Sequence, residues 1–318
     1  MSIAFKPLTL EDKPVLDSYY AKVSYRNCDY SFANTFLWNN LYPVRWGVTD
    51  GMLVQLYAVE EPTFFFPVGD GDLKAALEAM MAYSEEQGFP FRMSLSREME
   101  AQLEQVMPDV FAIEYDRDFA DYVYRSDDLI TLKGKKYHGK RNHINSFKEQ
   151  YDWSYEPITD DNTMDCIRML ASWCKENDCT IDDEAGEEAC VVRKALMYRT
   201  ELRLVGGLIR LHGEPEDGEV VAFTLGEPVC ADTFVVHFEK AFSHVNGAYP
   251  IINQQFIEHV ASGYAYINRE EDVGVEGLRR AKLSYKPVFL VEKGVATVKT
   301  PTVCCTAVGT AAPCGVDA

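Results

Sequence analysis

Twice along this chain the same order of elements comes round, and that recurrence limits the fold more than any single motif. In the first pass, Phe5-Lys6-Pro7-Leu8 leads to a helix that Thr9 caps, with Val15, Leu16, Tyr19, Tyr20 and Val23 at helical spacing. Residues 43–48, 52–57 and 63–67 read as strands, the first two joined by the hairpin signal Thr49-Asp50-Gly51. An amphipathic helix over 70–86 closes at Gly88, followed by a strand at 91–95, a helix at 97–106 and a strand pair at 112–115 and 121–124. The aromatic segment 30–38 is too short and bulky to assign. In the second pass, a strand at 153–157 precedes helices at 160–175 and 184–199. Strands at 202–211, 220–225 and 232–238 follow, the first two linked by a hairpin loop over 213–219. A helix at 249–261, a strand at 264–267, a helix at 276–282 and a strand at 288–291 complete it. Such an order excludes the strict alternation of a doubly wound parallel sheet. It predicts an α+β chain, two tandem copies of one fold with mixed, largely antiparallel sheets.

A length of 318 residues suits two domains of that kind, and 47% apolar residues suffice for a buried core. The expected division is a first domain over 1–130, a basic linker helix over 131–150, a second domain over 151–295 and a low-complexity, disordered tail over 296–318. The start Met-Ser-Ile-Ala-Phe-Lys-Pro does not read as a secretory signal, and no apolar run approaches the ~18–20 residues that cross a bilayer. The nine cysteines, scattered apart from Cys304-Cys305, read as reduced thiols without zinc spacing, so no metal is expected and the location is cytoplasmic. The net charge of −19 repels phosphate at long range and argues against a general nucleic-acid or anionic-membrane binder.

Two charged stretches stand out from that acidic background. Residues 133–148 hold six Lys/Arg and no acid, including Lys140, Arg141 and Asn142. They read either as a linker helix paired with the acidic body or as a site for a phosphate-bearing substrate. The second stretch, 268–287, follows the aromatic strand Tyr264-Ala265-Tyr266-Ile267 and passes from acids to bases. Asn268, Arg269, Glu270 and Asp272 come first, then Lys282, Tyr285 and Lys286. It reads as a solvated loop and helix or as a site at the mouth of a sheet.

The second pass has the element order of a GNAT-type acyltransferase, in which the chain after the central strand opens a helix whose N-terminus receives a pyrophosphate or carbonyl. Here Gly247, Ala248 and Tyr249 open that helix, without the usual Q/R-x-x-G-x-G/A loop. The motifs Lys140-Arg141-Asn142, His237-x-Glu239-Lys240-Ala241, Gly247-Ala248-Tyr249-x-x-x-Asn253 and the run 268–287 resemble the C-terminal domain family of phosphatidylglycerol lysyltransferases. The likeness runs from about residue 5 to 293 and is sharpest from 237 to 287.

That resemblance implies two GNAT-like domains in tandem, similar to Fem-type peptidyltransferases, and transfer of an aminoacyl group from aminoacyl-tRNA without a covalent enzyme intermediate. No cofactor is firmly implied; the donor co-substrate is aminoacyl-tRNA or acyl-CoA. No span matches the membrane-embedded half of full lysyltransferases, so the acceptor stays open among a small molecule, a peptide and a lipid headgroup. Aminoacyl transfer needs a bound ester, a deprotonated acceptor and donors aimed at the oxyanion. Glu239 or Asp272 is the expected proton acceptor, with Lys282 or Arg269 stabilising charge and Lys240, Lys140 and Arg141 holding phosphates. Tyr285 is a candidate acid, and Asn253 a substrate ligand. Each has a structural alternative: Glu239–Lys240 as a salt-bridged strand end, Asp272 as a helix cap, Tyr285 as a core aromatic, Asn253 as a strand cap. A ligand module with no catalysis is the competing reading of the whole chain.

Overall fold

The computed structural model describes residues 3–180, 183–213 and 218–299. Its first half opens with β1 (Lys6–Pro7), α1 (Lys13–Tyr20) and α2 (Phe32–Trp38), the last being the unassigned aromatic segment, started by Ser31 accepting from the Asn34 amide at 3.0 Å. β2 (Val44–Thr49) and β3 (Met52–Tyr57) form the expected hairpin, with Asp50 and Gly51 both at positive φ, as a tight primed turn requires. Then come β4 (Thr63–Phe65), β5 (Val68–Gly69) and α3 (Leu73–Gln87), which runs from its Asp72 cap to a left-handed Gly88. β6 (Arg92–Ser96) and α4 (Arg97–Val106) precede β7 (Phe111–Arg125), one strand of 15 residues where the sequence suggests a pair. Charged residues Glu114, Asp116, Arg117 and Asp118 interrupt the apolar pattern of β7, and its pairing breaks over 117–120 before resuming at Asp121.

α5 (Ser126–Thr131) and α6 (His138–Gln150) connect to the second half. There β8 (Asp152–Pro157), α7 (Thr163–Glu176), α8 (Glu184–Met197) and the single turn α9 (Arg199–Leu202) lead to β9 (Val205–His212), β10 (Val220–Cys230) and β11 (Thr233–Ala241). α10 (Ala248–Phe256) continues as a π-helical turn over Ile257–Ala261 and is followed by β12 (Tyr266–Asn268), α11 (Glu276–Ser284) and β13 (Phe289–Val298). Residues 214–217 of the expected hairpin loop lie outside the described residues, but β9 and β10 pair antiparallel on either side of it.

All of the strands join one sheet in the order β1-β2-β3-β4-β6-β13-β7-β12-β11-β10-β9-β8, with β5 on β3. Two pairs are parallel, β4 with β6 and β11 with β12; the others are antiparallel. The last strand does not stay beside its own half. β13 lies between β6 and β7, and β7 in turn pairs with β12, so the halves are stitched through shared strands. β13 also extends through 296–298, which were expected in the tail; residues 300–318 lie outside the described residues.

Candidate active site

β11 and β12 pair over only three positions, Thr233↔Tyr266, Phe234↔Ile267 and Val235↔Asn268. β11 then runs on to Ala241 while the chain after Asn268 turns away, which opens a wedge on that side of β11. At the mouth of the wedge the register slips against β10: Gly226 faces Val236, Leu225 faces Phe238, and His237 is the extra residue. Such a bulge re-aims the following side chains. Beyond it Glu239 and Lys240 point to opposite faces of the sheet, as strand alternation requires.

Glu239 is clamped by Arg269 Nη2 at 2.9 Å and by Asn253 Nδ2 at 3.1 Å. The Arg269 guanidinium lies 4.9 Å from the ring centroid of Tyr285, and Lys140 Nζ lies 4.0 Å from that same centroid. Lys140 has no ion-pair or hydrogen-bond partner among the described residues. Burial first, and then the neighbouring Arg269 cation, push its ammonium down to about 8. Two buried polar atoms, Asn253 Oδ1 and Arg269 Nη1, also have no partner among the described residues, an arrangement that costs free energy unless a ligand or water completes it. Burial raises the Tyr285 hydroxyl, and burial together with the Glu239 carboxylate raises that of Tyr249 on α10.

The loop that follows is held from three sides. His237 Nδ1 meets Glu270 Oε1 at 2.7 Å and its Nε2 meets Glu227 Oε1 at 3.1 Å. Burial alone would favour neutral imidazole, but the two carboxylates more than offset it and raise its pKa to about 10. Lys282 donates to the backbone carbonyls of Arg269 and Glu270; burial and Arg269 lower its pKa. Asp272 accepts from Arg279 Nε at 2.9 Å and Nη2 at 2.7 Å, from the Tyr122 hydroxyl, and from the Gly274 amide at 3.0 Å. Arg279 above all holds that carboxyl well below the usual range. Within the loop Glu270 and the β-branched Val273 sit at φ 57° and 43°, strained conformations of the kind that gather at functional sites.

The third anchor is Lys293 on β13. Its Nζ lies 2.7 Å from Asp121, 3.2 Å from Glu271, 3.3 Å from Asp29 and 3.5 Å from the Cys28 sulfur. Cys28, Asp121 and Glu271 also bring ligand atoms within 4.8 Å of one another, but the ammonium of Lys293 is the cation among them. Asn268 donates to Asp121 at 2.8 Å and to the Arg26 carbonyl at 2.7 Å.

The structure therefore brings Glu239, Asn253, Arg269, Lys140 and Tyr285 together, with Tyr249 beside them. Asn268, Glu270, Asp272 and Lys282 lie behind, holding the loop. Lys240 faces away, bonded to Glu188 at 2.6 Å over the Trp173 ring. Arg141 ties the Leu132 and Gly134 carbonyls, Asn142 is exposed beside His138, and Lys286 is exposed. Gly247 and Ala248 pack under α6: a Cβ at Gly247, where φ is 89°, would meet the His143 carbonyl at 2.5 Å. Asp121, Lys293 and Glu227 escaped sequence reasoning. Asp121, a lone acid inside the apolar run Ala120-Asp121-Tyr122-Val123-Tyr124, was the one visible signal.

Residues 20–296 match the family described as phosphatidylglycerol lysyltransferase, C-terminal. The chain belongs to that family. Among solved structures, a conserved protein of unknown function from Bacteroides thetaiotaomicron is 42% identical with a TM-score of 0.87, over 93% of this chain and 100% of that one. L-PGS from Bacillus licheniformis is 17% identical (TM-score 0.63; 92% and 93% covered), and FemX is 9% identical (TM-score 0.59; 93% and 98%). At those identities the likeness is one of fold, and this lysyltransferase-family chain has the α+β, tandem GNAT-like fold. An uncharacterised protein of Mycoplasmoides gallisepticum is 25% identical over 183 residues, so the match spans 56% of this chain and 56% of that curated relative. No helix among the described residues is long and apolar enough to cross a membrane.

Proposed function

We propose that this chain is an aminoacyltransferase that moves an aminoacyl group from aminoacyl-tRNA to an acceptor amine or hydroxyl, working in the wedge between β11 and β12. The observation that carries the reading is the convergence there of Glu239, Arg269, Lys140 and Asn253, with Arg269 Nη1, Asn253 Oδ1 and the Lys140 ammonium left without partners among the described residues. The acceptor attacks the ester carbonyl carbon, a C–N or C–O bond forms, and Glu239 takes the acceptor's proton. Arg269 Nη1 stabilises the oxyanion. The C–O bond to the ribose then breaks, and Lys140 gives its proton to the departing oxygen. Asp272 and Lys282 serve as positioning groups, and no enzyme nucleophile is required.

A tRNA-linked donor is favoured over acyl-CoA because α6 packs on the start of α10, where a GNAT pyrophosphate would dock. His143 Nδ1 meets Asn246 Oδ1 there at 3.0 Å. The acceptor is a small molecule, a peptide or a lipid headgroup, and the location is cytoplasmic.

Transfer of radiolabelled amino acid from a set of charged tRNAs tests the reading, with thiol release from acyl-CoA as control. No transfer from any charged tRNA would sink it. With Lys140 as the acid, the rate should fall as pH rises through about 8. Lys140→Arg should abolish that limb and most of the rate with it, since a guanidinium stays protonated and cannot give its proton to the leaving oxygen.

A further inference from the structure

A cavity of about 390 Å³ lies between the halves on the Glu227 side of His237, lined by residues of α1 and of the segment that joins it to the start of α2, together with Arg203 and residues 227–231. Its size falls in the range of small-molecule pockets. Not every polar group around it is paired. Lys13 and Asp17 neutralise one another at 2.8 Å. Glu227 is buried; one of its oxygens is held by His237, and the other has no hydrogen-bond partner among the described residues. Arg203, held at φ 61° after α9, has no ion pair or side-chain hydrogen bond among the described residues and does not reach Glu227. The hydroxyls of Tyr20 and Tyr30 are engaged elsewhere, with Gln55 Oε1 at 2.7 Å and the Phe66 carbonyl at 3.3 Å, so these residues offer the cavity their rings.

A carboxyl oxygen and a guanidinium without partners among the described residues, beside aromatic residues, complement a small zwitterion with an apolar side chain. We infer that this cavity binds a free neutral α-amino acid, its ammonium at Glu227, its carboxylate at Arg203 and its side chain against Tyr20, Tyr30 and Phe32. The ammonium would complete the second oxygen of a buried carboxylate and find ring faces nearby. The carboxylate would give Arg203 a bidentate partner. This site is separate from the wedge and does not depend on the transferase reading.

Calorimetric titration of the full chain with L-leucine and L-phenylalanine tests it, with isoamylamine, phenethylamine and N-acetyl-L-leucine as probes lacking one charge. At least one amino acid should bind with Kd below ~1 mM, and removing either charge should weaken binding about tenfold or more. Arg203→Gln, at an exposed position, should weaken the amino acid about tenfold and leave the plain amine unchanged. Glu239→Gln, in the wedge, should leave amino-acid binding intact. The inference fails if neither amino acid binds below ~10 mM, or if the amine binds as well as its amino acid. It also fails if binding survives Arg203→Gln but is lost in Glu239→Gln, which would place the ligand in the wedge.

Discussion

The two parallel strand pairs of the sheet are the same device used to opposite ends. Each is a strand, a crossover helix and a second strand: β4, α3 and β6 in the first half, β11, α10 and β12 in the second. In the first, Phe64↔Met93 and Phe65↔Ser94 pair, and the gap beyond is filled with apolar bulk. The Tyr30 hydroxyl meets the Phe66 carbonyl at 3.3 Å and the Met99 sulfur at 3.7 Å, and the Tyr57 and Phe65 rings lie 4.4 Å apart. In the second, β11 outruns its partner, a bulge sits at His237, and the gap is lined by Glu239, Arg269 and Asn253. The fold supplies a wedge in both halves; side chains decide whether it becomes core or site. The first lesson is that a tandem repeat of shape need not repeat chemistry, because a wedge packed with Phe64, Phe65 and Phe66 holds none of the charged groups that line the proposed site.

Removing the tether between the halves should break the contrast most. Lys293→Met leaves Asp29, Asp121 and Glu271 facing one another without their ammonium, and should cost about 3–5 kcal/mol in chemical denaturation. A loss under ~1 kcal/mol would mean that solvent compensates the cluster. At the wedge itself, Arg269→Lys keeps a charge but loses the fork that reaches both Glu239 and the oxyanion position. Transfer should drop by about 10²–10³, and an unchanged rate would remove Arg269 from the chemistry.

His237 gives a pH test of the bulge. Its pKa is about 10 in the fold against about 6.5 unfolded, so its stabilisation is whole below pH ~6.5 and is lost as pH rises through ~10. Unfolding midpoints should therefore fall from pH ~6.5 to ~10 more steeply in the parent chain than in His237→Gln. Equal slopes would show that the imidazolium is not what the two carboxylates hold. The smallest effect belongs to the first half. Ser96, past the end of the β4–β6 pairing, buries a hydroxyl with no partner among the described residues. Ser96→Ala should change stability by less than ~1 kcal/mol and leave transfer untouched; a large loss of activity there would mean that the first wedge also works.

Much of this was legible along the chain. The β2–β3 hairpin needed only Asp50-Gly51, and α3 only its Asp72 cap, apolar spacing and Gly88, because local backbone preferences and periodicity act within a few residues. The motif set 237–287 was sufficient for family membership. Within it, Glu239, Asn253, Arg269 and Tyr285 meet, joined by Lys140 from α6, whereas Asp272 and Lys282 are spent on the loop and Lys240 faces away. A one-residue bulge at His237 and the choice of donors around each charge settle those roles, and neither can be read from residue type.

What the sequence determined by itself was the order of most elements, the α+β class and the stretch that carries the family likeness. Only the tertiary structure decided that β13 crosses back between β6 and β7, carrying Lys293 to Asp121 and Glu271. The same level of structure left one wedge filled and the other open. The reason is physical: strand insertion and buried ion pairing join residues far apart in the chain, here Asp29, Asp121, Glu271 and Lys293. Their energies depend on burial and on partners that exist only once the sheet is assembled.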